Sequence, residues 1–314
     1  MLRVLLLSLA SCLITCAKAQ RIVWWNVENL FDCQHDMLKE DDAFLPEGSH
    51  HWTRSRYWKK LDDLSRTIAA MSGDDTWPMI VGLCEVENDT GLHDLTRRST
   101  LRMARYAYVH EEGPDVRGID VAMLYDTLQF RLLGHEAVRI PSEGHGFRPT
   151  RDILHAWGQC PSLPDTLHIL AVHLPSRAGS GWKGEAHRRL AVAELCRLLD
   201  ATEGKSVLLM GDFNAEPDDR IFRSISKRMT SLMPQSRKEL RQAQGTYYFR
   251  KQWRYIDHIL VSPRLLPFVE RRIAVGRFPF LLTEGGTPFR TYQGPFYKGG
   301  ISDHLPIWVD LSSK

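Results

Sequence analysis

The sequence predicts an α/β protein built as one domain. Short apolar runs at 79–84 and 207–210 indicate buried strands. Apolar positions at helical spacing in 57–71 and 185–199 indicate amphipathic helices between strands. The 314 residues contain neither an internal repeat nor a Gly/Ser-rich linker, so a single domain covering 20–314 is the expected organisation, and a monomer the expected state.

Residues 1–19 have the pattern of a secretory signal. Arg3 precedes a short apolar core, and Ala19 ends a small-x-small cleavage site. The apolar core is too short to span a bilayer, and we expect no transmembrane segment later in the chain. Cys12 and Cys16 each end a stretch similar to a lipoprotein processing box, so a lipid anchor at either cysteine is the alternative to cleavage after Ala19. Both alternatives predict an exported protein, periplasmic or extracellular.

The remaining cysteines and the net charge exclude few binding partners. Cys33, Cys84, Cys160 and Cys196 are widely spaced, which does not support zinc bound by cysteine and leaves one disulfide or buried free thiols open. The net charge of +3 predicts no partner by itself. However, residues 220–277 contain fourteen Lys and Arg against three acids. That segment suits a phosphate-rich substrate, and a solvated surface balanced by the acidic first half explains it equally well.

The stretch 206–217 carries the clearest functional pattern. Asp212 and Asn214 follow a buried strand and are two positions apart, so in an extended chain they point to one side while Phe213 enters the core. A carboxylate can accept a proton or hold a metal, and an amide can donate to an oxygen that gains charge. Alone, the same residues also fit an ordinary strand-to-turn exit.

Several other predicted strands also end in polar side chains. Glu85 follows a mostly apolar strand, where a buried carboxylate requires a cation or a metal ion. Asp120 lies within a strand, and we expect a structural ion pair with Arg117. Hard oxygen donors favour Mg²⁺, Mn²⁺ or Ca²⁺ over structural zinc. The further polar positions near strand ends are Asn26, His173, Asp257 with His258, and Asp303 with His304.

Six short motifs together resemble those of the endonuclease/exonuclease/phosphatase superfamily, in the same order and over nearly all the chain after residue 19. They are Trp25-Asn-Val-Glu-Asn29, Leu83-Cys-Glu-Val86, Val172-His-Leu-Pro-Ser176, Gly211-Asp-Phe-Asn214, Ile256-Asp-His-Ile259 and Ser302-Asp-His-Leu-Pro306. Members of that superfamily include pancreatic-type DNase, inositol polyphosphate 5-phosphatases and bacterial sphingomyelinases. The resemblance implies a four-layer α-β-β-α sandwich, in which two mixed β-sheets pack face to face between helices.

The resemblance also implies a metal centre and an acid–histidine pair. Glu85 would be the main metal ligand, with Asn26 and Asp303 beside it. The metal would be Mg²⁺, with Mn²⁺ or Ca²⁺ as alternatives. Asp257 would hold and polarise His304, which would contact the scissile phosphate.

The remaining implied roles concern the attacking water and the substrate. Asp212 and Asn214 would position the water and donate to phosphoryl oxygens, and His173 would match a second active-site histidine. The general base stays open. The sequence also offers three candidate contacts to substrate phosphate, which are Arg148, Arg151 and Arg177.

The predicted function is an exported, divalent-metal-dependent phosphodiesterase that acts on DNA or RNA. One alternative keeps the chemistry and changes the substrate to a phospholipid head group or a small phosphate monoester. A sphingomyelinase-like enzyme needs an exposed aromatic hairpin, for which 278–282 is the candidate. The other alternative is a catalytically inactive binding module, which is disfavoured because every expected catalytic position is present.

Overall fold

The computed structural model describes most of the chain after the predicted signal. The described residues are 20–73, 76–142, 146–176, 181–234, 238–239 and 244–311. Cys12, Cys16 and Arg177 lie outside this part of the chain. The expectations about cleavage, lipidation and phosphate binding by Arg177 therefore stay predictions.

Two mixed six-stranded sheets form the centre of the described protein. The strands are β1 Gln20–Leu30, β2 Ile80–Val86, β3 Tyr106–His110, β4 Asp120–Asp126, β5 Arg131–Val138, β6 Ile153–Gln159, β7 Leu167–His173, β8 Ser206–Asp212, β9 Thr230–Ser231, β10 Tyr247–Phe249, β11 Gln252–Arg254, β12 Asp257–Val261, β13 Ala274–Val275, β14 Tyr292–Gln293, β15 Phe296–Tyr297 and β16 Ile307–Leu311. The first sheet has the order β13-β16-β1-β2-β4-β3, and the second has the order β5-β6-β7-β8-β12-β9. The pairs β10–β11 and β14–β15 are separate hairpins.

Helices cover the outer faces of both sheets. The α-helices are α1 Arg54–Ala70, α2 Asp89–His93, α3 Gly181–Ala201 and α4 Phe222–Ile225. The other helical elements are a π-helix at Asp94–Arg98 and short 3₁₀ helices at Asp42–Phe44, Thr100–Ala104, Leu266–Phe268 and Pro279–Leu281. The α1 helix begins after Thr53, whose side chain accepts a hydrogen bond from the Arg56 N–H at 3.4 Å. Both long helices lie where the apolar spacing predicts them.

Alternate residues of the central strands enter different cores. In β1, Ile22 and Trp24 face the second sheet, while Val23 and Trp25 pack under α1. In β8, Met210 joins the core between the sheets, and the residues on its other face pack against α3. Strands buried on both faces read as continuous apolar runs, which is the pattern that the sequence shows. The four-layer sandwich predicted from the resemblance is therefore confirmed.

Parallel strand pairs bring the polar strand ends to one edge of the sandwich. β1 runs parallel to β2, and Asn26 is in register with Cys84, next to Glu85. β7 runs parallel to β8, and His173 is in register with Asp212. Because the carboxyl ends of parallel strands meet at one edge, both pairs converge there.

The expected Asp120–Arg117 ion pair is wrong. An Asp120 carboxylate oxygen accepts the Gly113 N–H at 3.0 Å, while Arg117 Nε lies 3.4 Å from Asp115 Oδ1. Burial raises the pKa of Asp120 to about 6. The backbone N–H of Gly113, and not the Arg117 guanidinium, therefore forms the hydrogen bond to this carboxylate.

The structure also bears on disulfide formation and on membrane-spanning helices. Cys33, Cys84, Cys160 and Cys196 are free thiols, which decides between the two states left open by the sequence. In the part of the chain that the structure describes, no helix combines the length and the apolar character needed to cross a bilayer.

The aromatic segment at 278–282 does not form a protruding hairpin. Pro279–Leu281 is a 3₁₀ helix, and the rings of Phe278 and Phe280 stack with their centroids 5.5 Å apart. The Arg66 guanidinium of α1 lies 4.5 Å from the centre of the Phe280 ring. Since these rings pack against the core beside α1, the segment does not have the form that a membrane-inserting element needs.

The close contact between the sheets predicts the effect of a substitution at Gly82. A Cβ at this position would lie 2.5 Å from Met210 Cε and 2.9 Å from Trp24 Cε3. We expect Gly82→Val to lower the free energy of unfolding by about 1–3 kcal/mol, because an overfilled core forces its neighbours to shift. Urea denaturation measures this change. Gly285→Ala is the control, since its nearest neighbour would lie 3.7 Å away, and equal stability of the two variants would contradict the packing described here.

Candidate active site

A cavity of about 590 Å³ opens at the edge where the parallel strand pairs end. It contains side chains from both sheets, so packing of the sandwich is what assembles it. The residues predicted from the sequence that line it are Asn26, Glu85, Arg151, His173, Asp212, Asn214, Asp303 and His304. A cavity of about 800 Å³ beside α3 contains none of these residues.

Left-handed backbone conformations occur at the ends of three of these strands. The φ angles are +51° at Glu28, +61° at Asn29, +64° at Glu85 and +49° at Asn214. Such angles are uncommon for residues other than glycine, and they concentrate at functional sites. Asp212 and Asn214 both line the cavity and Phe213 is buried in the core, as the sequence predicted. β8 ends at Asp212, however, and Asn214 has a left-handed backbone, so the two are not residues of one extended strand.

Asn26 joins two carboxylates on the floor of the cavity. Its Nδ2 donates to Glu85 Oε1 at 3.2 Å and to Asp212 Oδ2 at 3.1 Å, while its Oδ1 accepts the Glu28 N–H at 2.9 Å. The other oxygen of Glu85 accepts the Asn29 N–H at 3.0 Å. In this arrangement the amide nitrogen of Asn26 faces the carboxylates, so ligation of a metal by its oxygen stays a prediction.

The donor set fits a hard divalent cation. Glu85 and Asp303 are only partly buried and line the cavity with the buried Asp212, so carboxylate oxygens are concentrated there. Burial raises the pKa of Asp212 to about 7, with Asp257 adding to the increase and His304 opposing it. A cation beside Asp212 would favour its ionised form, and oxygen donors suit Mg²⁺, Mn²⁺ or Ca²⁺.

Asp257 is held behind His304 by a complete set of hydrogen bonds. Its Oδ1 accepts from Trp24 Nε1 at 3.1 Å, and its Oδ2 accepts from Thr246 Oγ1 at 2.6 Å and lies 2.7 Å from His304 Nδ1. This leaves His304 Nε2 facing the cavity, 3.8 Å from Asp212 Oδ2. Asp212, Asp257 and His304 also lie close enough for a metal cluster. However, a protonated imidazole cannot bind a metal, and the neighbouring charges favour that form.

Two histidines in the cavity have opposite electrostatic surroundings. Burial alone would lower the pKa of His304, but Asp257, followed by Asp212 and Asp303, holds it well above its ordinary value. Burial together with Arg151 and Arg117 lowers the pKa of His173 well below its ordinary value. At neutral pH, His304 is therefore the cationic donor and His173 the neutral imidazole.

His173 stands close to the acidic cluster without a hydrogen bond to it. Its Nε2 lies 4.0 Å from Glu85 Oε1 and 3.8 Å from Asp212 Oδ2, and its Nδ1 is buried without a hydrogen-bond partner. His258, by contrast, faces away from the cavity, and its Nε2 lies 2.8 Å from the Ala215 carbonyl oxygen. Of the two Asp-His sequence pairs, only Asp303–His304 has its histidine in the cavity.

The predicted phosphate-binding arginines occupy different positions. Arg151 lines the cavity but is buried, and its guanidinium donates to Asp115 Oδ2 at 3.0 Å and to the Leu174 carbonyl at 3.1 Å. Arg148 is exposed, bonds to Glu40 at 2.7 Å and does not line the cavity. Arg117 lines the cavity beside Arg151, which the sequence did not indicate.

Sequence reasoning missed the hairpin that covers one side of the cavity. Tyr247 and Phe249 of β10, Arg250 in the turn, and Arg254 of β11 all line it. The basic composition of 220–277 was the available signal, although it could not identify these four residues.

Sequence reasoning also missed a charged network behind the cavity. Arg290 Nη2 donates to Asp303 Oδ2, and Arg290 Nε lies 3.9 Å from Glu28 Oε1. Glu28 in turn accepts the N–H groups of Thr291 and Tyr292 at 2.6 and 3.1 Å. No local pattern distinguishes Arg290 from other arginines, because its partner is thirteen residues away and Glu28 much further.

This sandwich, with acids, amides and histidines at the strand ends, has the architecture of DNase I-like proteins. The sequence profile described as "Endonuclease/Exonuclease/phosphatase family" matches residues 21–313. The chain belongs to that family, whose members are phosphoester hydrolases that typically depend on divalent metals. No curated protein sequence matches the chain.

Several solved structures share the fold. A humanised TDP2 from D. rerio has 15% identity and a TM-score of 0.60 over 94% of this chain and 99% of its own. The catalytic domain of human nocturnin has 20% identity and a TM-score of 0.57 over 94% and 95%. A mannosyl-6-phosphatase from Bacteroides thetaiotaomicron has 17% identity and a TM-score of 0.58 over 93% and 99%. At these identities the likeness shows the fold and not the substrate.

The Asp257–His304 pair predicts a measurable shift in the titration of His304. A histidine whose pKa is raised in the folded state stabilises that state at low pH, and this contribution is lost as the pH rises through the folded-state pKa. We expect Asp257→Asn to lower the pKa of His304, because the adjacent negative charge is removed. NMR titration of the histidine Cε1 protons in EDTA measures the shift. Asp165→Asn, at an exposed acid paired with Arg264, is the control that should leave His304 unchanged.

Proposed function

We propose that the protein is an exported, divalent-metal-dependent phosphodiesterase that cleaves DNA or RNA. The observation that supports this most strongly is the buried Asp257–His304 pair, which faces Asp212 across a cavity rimmed by Glu85. Phosphodiester cleavage needs compensation of charge on the phosphoryl oxygens, an oriented water and stabilisation of the leaving oxygen. Export is proposed from the signal-like pattern at residues 1–19.

The side chains supply complementary parts of that chemistry. A bound Mg²⁺, held by Glu85 with Asp303 and Asn26 as further candidates, would compensate charge on the non-bridging phosphoryl oxygens. Asp212 Oδ1 accepts the backbone N–H of Asn214 at 2.9 Å. The carboxylate of Asp212 and the side-chain amide of Asn214 are therefore neighbours and can orient a water together. His304 carries a proton on Nε2 that can be donated to an oxygen of the substrate. Asp257 keeps this imidazole in one orientation.

The hairpin β10–β11 favours a nucleic acid as substrate. The ring of His304 lies 4.8 Å from that of Tyr247, and the ring of Tyr247 stacks on Phe249 at 6.1 Å with an interplanar angle of 18°. Phe249 is 42% exposed, and the Arg250 guanidinium lies 5.3 Å from its ring centre. Exposed aromatic rings beside arginines can stack on bases and contact phosphates. A lipid-cleaving enzyme finds less support, since the aromatic segment at 278–282 packs against the core.

Substrate hydrolysis by wild type, Glu85→Gln and His304→Ala tests the reaction. We expect Mg²⁺-dependent cleavage of plasmid DNA or RNA that EDTA abolishes, and at least about a 100-fold loss in each variant, since Glu85→Gln weakens a metal ligand and His304→Ala removes a proton donor. The panel also contains bis-p-nitrophenyl phosphate, a sugar phosphate and sphingomyelin. Glu203→Gln, at an exposed acid beyond α3, is the control.

The outcomes separate the alternatives. Turnover of the sugar phosphate or the lipid alone would support the proposed catalytic site but would exclude nucleic acid as the substrate. An absence of both turnover and Mn²⁺ binding in folded protein would favour the inactive binding module.

Replacement of Phe249 tests the substrate class. We expect Phe249→Ala to raise KM for a single-stranded oligonucleotide about 5- to 150-fold, because stacking on one base contributes about 1–3 kcal/mol. Phe296→Ala is the matched control, since Phe296 is 69% exposed and does not line the cavity. Steady-state kinetics with both variants gives the comparison, and equal KM values would contradict a stacking role.

A further inference from the structure

The ammonium of Lys60 is buried beneath the candidate active site. Lys60 lies on α1 and is only 2% exposed. Its Nζ donates to the Glu28 carbonyl at 3.0 Å, to Thr291 Oγ1 at 2.8 Å and to the Ile301 carbonyl. These three contacts use all the donors of an ammonium, as a buried charge requires.

The first contact acts on the peptide group that orients Glu85. The Glu28 carbonyl and the Asn29 N–H belong to one planar trans peptide, and they point in opposite directions. Lys60 binds the carbonyl at one end, and the N–H at the other end donates to Glu85 Oε2 at 3.0 Å. Glu28 and Asn29 both have left-handed φ angles, so this peptide is in an orientation that the strand alone would not adopt.

The other two contacts fix the segment that leads to Asp303 and His304. Thr291 Oγ1 accepts from Lys60 and donates to the Ile301 carbonyl at 3.0 Å. Ile301 is two residues before Asp303, and the intervening Ser302 donates to the Asn26 carbonyl at 2.7 Å. One ammonium therefore connects the strand end that orients Glu85 with the segment that contains Asp303 and His304.

We propose that Lys60 is a positioning residue for both halves of the active site. It holds the Glu28–Asn29 peptide so that its N–H meets Glu85, and it holds the Thr291–Ile301 contact so that Asp303 and His304 enter the cavity. This role rests on the phosphodiesterase function proposed for the same site. It predicts that loss of Lys60 impairs the chemical step and metal binding more than it impairs binding of the substrate.

Lys60→Met and Thr291→Val test the proposal against a matched control. Lys60→Met removes all three contacts of the ammonium, whereas Thr291→Val removes one of them together with the Thr291–Ile301 hydrogen bond. Both changes nearly keep side-chain volume, and Thr291→Val is the milder change should Lys60→Met fail to fold. Ser65→Ala is the control, because Ser65 is also buried on α1 but bonds to Leu61 and Ser99, away from the cavity. We expect a 10- to 100-fold fall in kcat, about that expected on loss of a group supporting metal ligands, with KM for the oligonucleotide nearly unchanged.

Binding of Mn²⁺ to metal-free protein gives a readout independent of activity. Calorimetry should show roughly tenfold weaker binding by Lys60→Met, a smaller loss by Thr291→Val, which keeps the Lys60–Glu28 contact, and none by Ser65→Ala. Wild-type kcat and Mn²⁺ affinity in folded Lys60→Met, wild-type kcat in folded Thr291→Val, or an equal loss in Ser65→Ala, would overturn the positioning role. An inactive wild type would reject the proposed function instead, and the Mn²⁺ titration would still decide whether Lys60 orients Glu85.

Discussion

The hydrogen bond between Asp257 and His304 is the interaction on which the candidate active site depends. Asp257 begins a strand of the second sheet, whereas His304 precedes the last strand of the first sheet. Trp24 of the first sheet donates to the same carboxylate, and the neighbouring Trp25 donates to the His304 carbonyl at 3.0 Å. The pair is therefore formed only when the two sheets pack together. The Asp257–His304 pair and the inter-sheet core therefore depend on each other, since the Trp24 indole belongs to that core and donates to Asp257.

The charges around the cavity give two histidines different chemistry. His304 is surrounded by Asp257, Asp212 and Asp303 and is held as a cation, while His173 lies near Arg151 and is held neutral. Asp212 lies between the two histidines, 3.8 Å from Nε2 of each, so its carboxylate faces both imidazoles.

Local patterns allowed the strands, the helices and most of the cavity residues to be predicted, and the family resemblance implied the four-layer arrangement. A buried strand is an apolar run, and a polar residue at its end is visible without knowledge of the partner strand. The contacts of Lys60, Arg290 and Phe249 are not local, since Lys60 and Thr291 are 231 residues apart. The Asp120 prediction failed for a related reason. A turn amide satisfies that carboxylate, and sequence composition shows charged partners but not the direction of a backbone N–H.

The left-handed residues around the cavity bear on how this protein would respond to selection. A residue with a Cβ in that region costs of order 1 kcal/mol or more relative to glycine, and Glu28, Glu85 and Asn214 all adopt it. The Glu28 and Glu85 carboxylates accept N–H groups that glycine would leave without a partner, and these hydrogen bonds offset the cost of the left-handed backbone. Engineering of a hardier variant should therefore leave these positions untouched and seek its gains on the distant helices.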